Sequence, residues 1–173
     1  MLLRQKINQT FSIESGINYI QRNYSLSIDN IQIDNDETFF GLRSYELPIQ
    51  LLTYVQIKEL WYLNVAFGLS YNIQTSDILS YGNMSDNFIQ NTYRKTGSYI
   101  ALLANIGVEY RPSESGYYYF GTSLHRPWTE LGRIYPEYKD NNTNFNNVDF
   151  KDKYYLELIG SFVTLDLRYF FGE

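Results

Sequence analysis

Ser123 and His125 are the residues of this chain whose types and spacing could support catalysis. A serine, a histidine and an acid make a hydrolase when the histidine accepts the serine proton and the acid orients the imidazole. His125 is the chain's single histidine, and Glu130 and Glu137 follow it in the sequence. Side chains two positions apart on a strand share a face, but the alternation described below turns this face inward. A lipid-modifying hydrolase needs its nucleophile on the lipid side, so we predict no catalytic residues and keep that enzyme as an alternative.

The segment Tyr138–Asp149 is rich in the oxygen ligands that Ca²⁺ takes. It lacks both the glycine at position six and the final glutamate of an EF-hand loop. Because polar runs without a ligand pattern are ordinary loops, we predict a solvated loop and no metal site. The chain contains no cysteine, which excludes thiolate chemistry and disulfides. We predict no cofactor.

A set of charged residues shares the inward face of the predicted strands. An eight-stranded barrel is just wide enough inside for side chains to fill it. Buried charges need partners and hydrogen bonds, so we expect ion pairs and tyrosine hydroxyls to plug the interior. The alternative is a path for protons or small ions. The predicted polar network of the lumen consists of Glu14, Arg22, Glu46, Glu109, Asp166 and Arg168.

The element that positions these residues is an alternating strand, and Trp61–Asn72 is its clearest example. Its odd positions are large and apolar, whereas its even positions are small or polar. Successive side chains of a strand point to opposite faces. The apolar face is aromatic at both ends and aliphatic in the middle, which is the order that a bilayer favours.

The same alternation recurs along the chain and predicts seven crossings. Crossings of this length are long for a soluble sheet and typical of tilted membrane strands. Short, charged or turn-forming connections are predicted at Asn8-Gln9, Lys58-Glu59 and Arg111–Gly116. They alternate with long polar segments, which we interpret as outer loops, at Asn23–Arg43, Ile73–Gly97 and Glu130–Lys153. The predicted crossings are Leu2–Ile7, Phe11–Arg22, Tyr45–Ile57, Trp61–Asn72, Tyr99–Tyr110, Tyr117–Trp128 and Glu157–Phe171.

The predicted fold is an all-β, membrane-spanning, antiparallel up-and-down β-barrel that forms a single domain over residues 1–173. Single-chain bacterial barrels have an even number of strands. We therefore expect eight strands in the full protein, with the first strand and a signal peptide upstream of Met1. The alternative is that a partner seals the open edge.

The composition of the chain argues against nucleic acid as a partner. The net charge of −5 and the sequence pI near 4.9 argue against nucleic acid, because phosphate binding needs a basic stripe. No run of 18 apolar residues is present, so no transmembrane helix is predicted. Aromatic residues recur in the predicted loops, where they either form a contact surface or cap the barrel: Tyr24, Phe39, Phe40, Tyr81, Phe88, Tyr93, Tyr135 and Phe145.

Several short motifs resemble the small outer-membrane β-barrels of Bacteroidota, the PorT-like family, whose architecture is related to OmpA and OmpX barrels. The segments that carry the resemblance are Glu14–Tyr19, Glu46–Ile49, Gly107–Pro112 and Leu165–Phe171. The resemblance implies an eight-stranded barrel in the cell envelope. The last of these segments resembles the signal that barrel-assembly machinery recognises, through Leu165, Leu167, Tyr169 and Phe171. Gly172 and Glu173 follow the last aromatic residue, which is a small departure from the strict form of that signal.

Together these patterns predict an integral, multi-pass protein of the bacterial outer membrane with a filled lumen. We expect a structural, adhesive or accessory role in an outer-membrane complex. The expected partners are outer-membrane lipids, the barrel-assembly machinery and other envelope proteins that contact the outer loops. A soluble, lipocalin-like ligand-binding barrel is the rival, but it requires an apolar interior. The inward residues Asn64, Ser70, Asn105 and Glu109 indicate the opposite.

Overall fold

The computed structural model describes residues 1–30, 33–75, 77–81, 88–113, 116–138 and 154–171. Within these ranges every regular element is a β-strand, and no helix is long and apolar enough to cross a membrane. The strands are β1 (Leu2–Lys6), β2 (Phe11–Gly16), β3 (Asn18–Asn30), β4 (Ile33–Lys58), β5 (Trp61–Gln74), β6 (Ile78–Tyr81), β7 (Phe88–Arg94), β8 (Ser98–Ser113), β9 (Gly116–Pro127), β10 (Gly132–Tyr138), β11 (Leu156–Leu158) and β12 (Phe162–Phe171).

The larger of two sheets is antiparallel throughout and follows the order β1-β2-β4-β5-β8-β9-β12. The strand β3 continues β2 after a break at Ile17, and it pairs with the upper part of β4. The sheet is curled: Arg4 on β1 and Glu109 on β8 meet across its concave side at 2.6 Å. The all-β, antiparallel part of the predicted fold is therefore confirmed, as a curled half-barrel.

Short turns join the strands at one end of the sheet. At the first turn, the Asn8 side-chain oxygen accepts hydrogen bonds from the amides of Thr10 and Phe11, both at 2.8 Å. This is the local bonding that makes asparagine favourable in turns. The hairpin between β4 and β5 closes at Lys58, which pairs with Trp61. The predicted tight turns at Asn8-Gln9 and Lys58-Glu59 are thus present.

The prediction of a long loop over Asn23–Arg43 was wrong. The strands β3 and β4 continue through most of this range, with Ser25 paired to Phe39. The polar composition of the segment concealed a second alternation, in which Thr38, Phe40 and Leu42 are buried on one face. Packing of side chains across β3 and β4 made this polar segment a strand pair, because strand formation depends more on such packing than on the propensity of single residues.

Parts of the other predicted loops, and one end of a predicted strand, belong to a second sheet. Its order is β11-β10-β7-β6, and we call these four strands the lid. The lid takes β6 and β7 from Ile73–Gly97 and β10 from Glu130–Lys153. Glu157–Phe171 is likewise not one crossing, because β11 pairs with β10 in the lid and β12 begins only at Phe162.

The lid packs on the inward face of the larger sheet at the end opposite the short turns. The buried cluster at this contact contains Phe40, Leu42, Tyr99, Ala101, Leu131, Ile134 and Leu158. Full burial of each large aliphatic side chain here stabilises the contact by about 1.5–3 kcal/mol. Polar contacts add to it: Thr38 Oγ1 lies 2.5 Å from Ser80 Oγ, and Gln74 donates to the Leu131 carbonyl at 3.2 Å.

The loop aromatics divide between the two expected roles. Phe40, Phe88 and Tyr135 are buried, as the capping hypothesis requires, whereas Tyr81 and Tyr93 are exposed on the lid. Phe145 lies outside the described residues. The lid therefore covers the end of the half-barrel and also presents aromatic rings outward.

Candidate functional site

The outward face of the curled sheet is apolar, and its concave face is polar. On β5 the side chain of Phe67 is 60% exposed, whereas that of Asn64 is only 1% exposed. The same contrast holds on β8, where Ile106 is exposed and Glu109 is buried. In a soluble protein the informative signals are a buried polar side chain and a large exposed apolar patch. This sheet has both: polar side chains are buried on the concave faces of β2, β4, β5, β8 and β9, and apolar side chains are exposed on the outward faces of the same strands.

Aromatic residues on the outward face form two rows that run across the strands. The lower row follows the register of four neighbouring strands, and its four rings pack as two pairs. The Trp61 and Tyr110 centroids are 4.8 Å apart, and those of Tyr118 and Tyr169 are 5.0 Å apart. The upper row contains Tyr71, and also Tyr19 and Tyr45, whose centroids are 5.7 Å apart. We call the surface between and including these rows the outer belt.

Between the two rows, the outer belt consists of aliphatic side chains and Phe residues in register. One rung joins Ile49, Leu69 and Leu102, and the next joins Leu51, Phe67 and Ala104. Strands form these rungs because side chains directly opposite one another on a face lie about 4.5–5.5 Å apart. The sequence alternation thus becomes a continuous surface only when the register is fixed.

On the concave face, Arg4 is the centre of a buried network of charges. Its Nε and Nη2 atoms donate to Glu14 Oε2 at 3.0 and 2.8 Å, and its Nη1 donates to Glu109 Oε1 at 2.6 Å. Nη1 also lies 3.2 Å from the Tyr117 hydroxyl. The guanidinium fork suits two carboxylates at once. We call the residues Arg4, Glu14, Asn64, Glu109, Arg111, Ser123, Asp166 and Arg168 the interior network.

Glu109 is fully buried, and both of its carboxylate oxygens are occupied. Oε1 accepts from Asn64 Nδ2 at 2.6 Å, and Oε2 accepts from Arg111 Nη2 at 2.7 Å. A buried carboxylate that lacks such partners costs several kcal/mol. The alternation explains why these groups can meet, because Asn64 and Glu109 both occupy inward positions on the paired strands β5 and β8.

A second group of charges joins the interior network from β12. Arg168 donates to Glu14 Oε1 at 3.1 Å and to Asp166 Oδ2 at 2.9 Å. Asp166 also accepts from the hydroxyl groups of Ser123 and Thr164. Glu14 therefore links β12 to Arg4, and through Arg4 to Glu109.

Of the six residues predicted to line the lumen, four meet in the interior network: Glu14, Glu109, Asp166 and Arg168. The other two are nearer the lid. Arg22 donates to the Tyr99 hydroxyl at 3.1 Å and lies over the Phe162 ring. Glu46 accepts from Asn18 at 3.1 Å, and its Oε1 lies 3.4 Å from His125 Nε2.

The sequence prediction missed Arg4, which forms ion pairs with both Glu14 and Glu109. Its signal was present in the sequence: Leu3 lies outward on the first strand, so the next position points inward. The strand has only five residues, and so short a segment gives a weak alternation.

The structure does not bring Ser123 and His125 together as a catalytic pair. The Ser123 hydroxyl donates to Asp166 rather than to the histidine. His125 stacks on the Phe162 ring with centroids 4.6 Å apart. Glu130 lies at the edge of the lid and pairs with Lys95 at 2.7 Å. A hydrolase would need the histidine within hydrogen-bonding reach of the serine.

Glu130, at the edge of the lid, has charged neighbours that change the pKa of its carboxyl group. A hydrogen bond from Lys95 holds the pKa of the Glu130 carboxyl below its usual range, and the nearby Lys95 and Arg133 charges act in the same direction. An opposite charge favours the ionised form of a carboxyl group. This pair joins the segment after β7 to the segment before β10.

The four residues of the predicted assembly signal, Leu165, Leu167, Tyr169 and Phe171, all lie on the outward face of β12. Their recognition by assembly machinery stays a prediction. Except for Tyr138, the oxygen-rich segment Tyr138–Asp149 lies outside the described residues. Within the described ranges, no three histidine or acidic side chains lie close enough together to hold a metal ion.

No protein-family model matches this chain, and comparison with curated proteins and with solved structures found no significant similarity to either.

Proposed function

We propose that this protein is an integral β-barrel of the bacterial outer membrane with a filled interior, and that it acts as a structural, adhesive or accessory component of an outer-membrane complex. In the closed barrel we expect eight strands, seven of which are the crossings formed by β1, β2 with β3, β4, β5, β8, β9 and β12. Membership of the PorT-like family is part of the same proposal.

The observation that carries the proposal is the outer belt. Trp61 and Tyr71 mark its two aromatic rows on β5. Ten residues of strand at about 3.3 Å each, tilted by about 40°, cover about 25 Å along the barrel axis. This matches the height of the apolar band of membrane barrels, which aromatic girdles border on both sides.

The interior network supports a filled lumen rather than an open pore. Arg4, Glu14 and Glu109 bond to one another across the concave side, and Tyr119 lies over the glycine pair formed by Gly107 and Gly121. Charges that satisfy one another leave few groups for a permeating ion to contact.

The rival function, a soluble barrel with a ligand inside, conflicts with the distribution of polarity. A ligand-binding interior is lined predominantly by apolar side chains. Here the buried inward positions include Glu14, Asn64, Asn72 and Glu109, while Ile49, Phe67 and Ile106 are exposed. The rival would leave the outer belt in water, where patches of this size favour aggregation or association.

The accessory role rests on the lid, which closes the outer end of the barrel and carries exposed aromatic rings at Tyr81 and Tyr93. Aromatic rings are enriched where proteins contact one another. A contact through the lid would leave the outer belt free for lipid.

The experiment is fractionation of the producing bacterium, followed by extraction in the presence and absence of detergent. We expect the protein in the outer-membrane fraction, resistant to extraction by high salt and urea, and monodisperse only in detergent. A folded monomer that stays in solution without detergent would contradict the proposal.

A further inference from the structure

An arginine interrupts the apolar, outward face of β9. The outward positions of this strand run from Tyr118 in the lower aromatic row to Trp128, ten positions further, which is the span that the outer belt has on β5. Arg126 lies two positions before Trp128 and is exposed. It pairs with Leu102, a member of the aliphatic rungs of the outer belt. The charge of Arg126 is therefore part of the outer belt and not of the interior network.

Trp128 continues the upper aromatic row and so fixes the depth of this arginine. The Trp128 amide donates to the Ile100 carbonyl at 3.1 Å, and Ile100 pairs with Tyr71 of that row. Tryptophan is enriched at membrane–water interfaces, and this side chain is 63% exposed. Two residues of strand at about 3.3 Å each, tilted by about 40°, place Arg126 about 5 Å inside the edge of the outer belt. A side chain as long as arginine reaches the headgroups from that depth.

Arg126 and Trp128 line a groove of 690 Å³ at the outer rim of the sheet, which we call the rim groove. Its described lining comes from β9 and the segment that follows it, from the segment before β12, and from the edge of the lid. Leu124 and Ile159 supply apolar surface, and Ser161 supplies a hydroxyl group. The rim groove is thus polar towards the lid and apolar towards the outer belt.

The charges on the lid side of the rim groove balance one another. Glu130 pairs with Lys95 at 2.7 Å and lies 3.5 Å from Arg133. Glu157 is directly opposite Arg133 in the register of the lid. Two acidic side chains are thus matched by two basic ones. Arg126 forms no ion pair within the part of the chain that the structure describes, so the rim groove keeps one positive charge to attract an anion.

The surroundings of Arg126 favour the headgroup of a lipid over an anion from solution. The guanidinium fork binds two oxygens of one phosphate group at once. The hydroxyl groups of Thr129 and Ser161, in the lining of the same groove, are further donors. Leu124 continues the groove into the outer belt, where an acyl chain can lie. A free phosphate ion or an acidic peptide would leave this apolar part uncovered.

We propose that the rim groove is a binding site for an anionic, phosphate-bearing lipid in the leaflet on the lid side. The lipid phosphate binds the Arg126 guanidinium, and one acyl chain lies along Leu124. The indole N–H of Trp128 is a further donor at the level of the headgroup. The inference rests on the proposed membrane function and names the class of lipid that this part of the wall selects.

The test uses Trp128 as a fluorescent reporter. The chain contains two tryptophans, so W61F leaves Trp128 as the single one. The W61F protein is refolded into phosphatidylcholine vesicles in which a minor fraction of the lipid has brominated acyl chains, on either phosphatidylcholine or phosphatidic acid. Bromine quenches the fluorescence of a tryptophan that it contacts. We expect phosphatidic acid to bind next to Trp128 about fivefold more strongly than phosphatidylcholine, the preference that one basic side chain gives at a lipid surface.

Two arginine substitutions in the W61F protein separate a site from general attraction between charges. In R126Q the preference for phosphatidic acid should fall to about one, because the unpaired cation is gone. R43Q is the matched control. Arg43 is exposed on β4, two positions beyond Tyr45 of the upper row, and it is not part of the rim groove, so the preference should persist. An unchanged preference in R126Q, or an equal loss in R43Q, would overturn the proposal.

The same measurement distinguishes failure of this site from failure of the proposed function. If brominated phosphatidylcholine does not quench Trp128 at all, lipid does not surround the outer belt, and the membrane function is contradicted. Equal quenching by the two brominated lipids contradicts the headgroup site alone. Loss of the preference on addition of millimolar inorganic phosphate, but not of chloride at equal ionic strength, would assign the rim groove to a soluble anion and would also overturn the lipid proposal.

Discussion

The Nη1 atom of Arg4 lies 2.6 Å from Oε1 of Glu109, although 105 positions separate the two residues in the chain. One belongs to the first strand and the other to a strand in the middle of the sheet, so the contact exists only because the sheet curls. The side chain of Arg4 is 8% exposed and that of Glu109 is fully buried. The contact between Arg4 and Glu109 therefore forms only when the concave face has closed around its charged side chains.

Removal of one partner of this pair should be strongly destabilising. We expect R4M to lower the free energy of unfolding by about 3–5 kcal/mol, because it leaves Glu14 and Glu109 buried without their shared cation. E109Q combined with R4M should cost less than the sum of the two single changes. Urea titrations in lipid vesicles provide the measurement, and K6A, an exposed position on the same strand, is the control. Additive effects would indicate that the two side chains do not interact.

A charge at the centre of the outer belt should distinguish lipid from water around the sheet. We expect F67R to cost about 2–4 kcal/mol in vesicles, the value for arginine at the bilayer midplane. Tyr81 on the lid is similarly exposed, at 52%, and Y81R should change the free energy of unfolding by less than about 0.5 kcal/mol. Equal, small effects of the two substitutions would mean that water surrounds the belt.

The paired glycines Gly107 and Gly121 leave room for the Tyr119 ring. A Cβ atom at Gly107 would lie 2.6 Å from the Phe120 carbonyl oxygen and 2.6 Å from the Tyr119 ring. We therefore expect G107A to destabilise the protein by about 1–3 kcal/mol through overpacking. G97A is the matched control, since a Cβ atom there meets nothing within 4 Å. Thermal unfolding in detergent can compare the two, and similar stabilities would disprove the steric explanation.

The Glu130–Lys95 pair should make the edge of the lid sensitive to acid. Because its folded-state pKa is depressed, Glu130 contributes stability above its ordinary pKa of about 4.5, and this contribution is lost as the pH falls through the folded-state value. We expect the rate of hydrogen exchange at the β10 amides, measured at each pH and corrected for the intrinsic rate, to increase from pH 5 towards pH 3. In E130Q this increase should be smaller. An identical pH profile in E130Q would show that Glu130 is not the cause of the acid sensitivity.

A filled interior should not conduct ions. We expect the purified protein to give no discrete conductance steps in planar bilayers, because the side chains of Arg4, Glu14 and Glu109 join across the concave face. Reproducible steps in the native protein would instead favour the ion-path alternative. Protease protection in vesicles is the control. It shows that the protein has inserted, so that an absence of conductance steps is not caused by failed insertion.

The sequence alone determined which side chains point to the same face of a strand. Alternation at Trp61–Asn72 and its counterparts assigned each side chain to a face, since the period of a strand is two and independent of the fold around it. It therefore identified the inward carboxylates Glu14 and Glu109 and the outward aromatics Trp61 and Tyr71. Local turn chemistry at Asn8 was similarly readable, because the bonds that it makes join residues within three positions.

Only the tertiary structure decided which of those inward charges meet. Arg4 contacts Glu14 and Glu109 because curvature brings β1 opposite β8, and curvature is a property of the whole sheet rather than of any segment. The lid likewise arose from pairings such as Tyr135 with Asn91, between segments whose composition alone indicated loops. Register and closure depend on contacts between residues far apart in the chain, so alternation could predict the faces of the sheet but not which inward charges meet inside it.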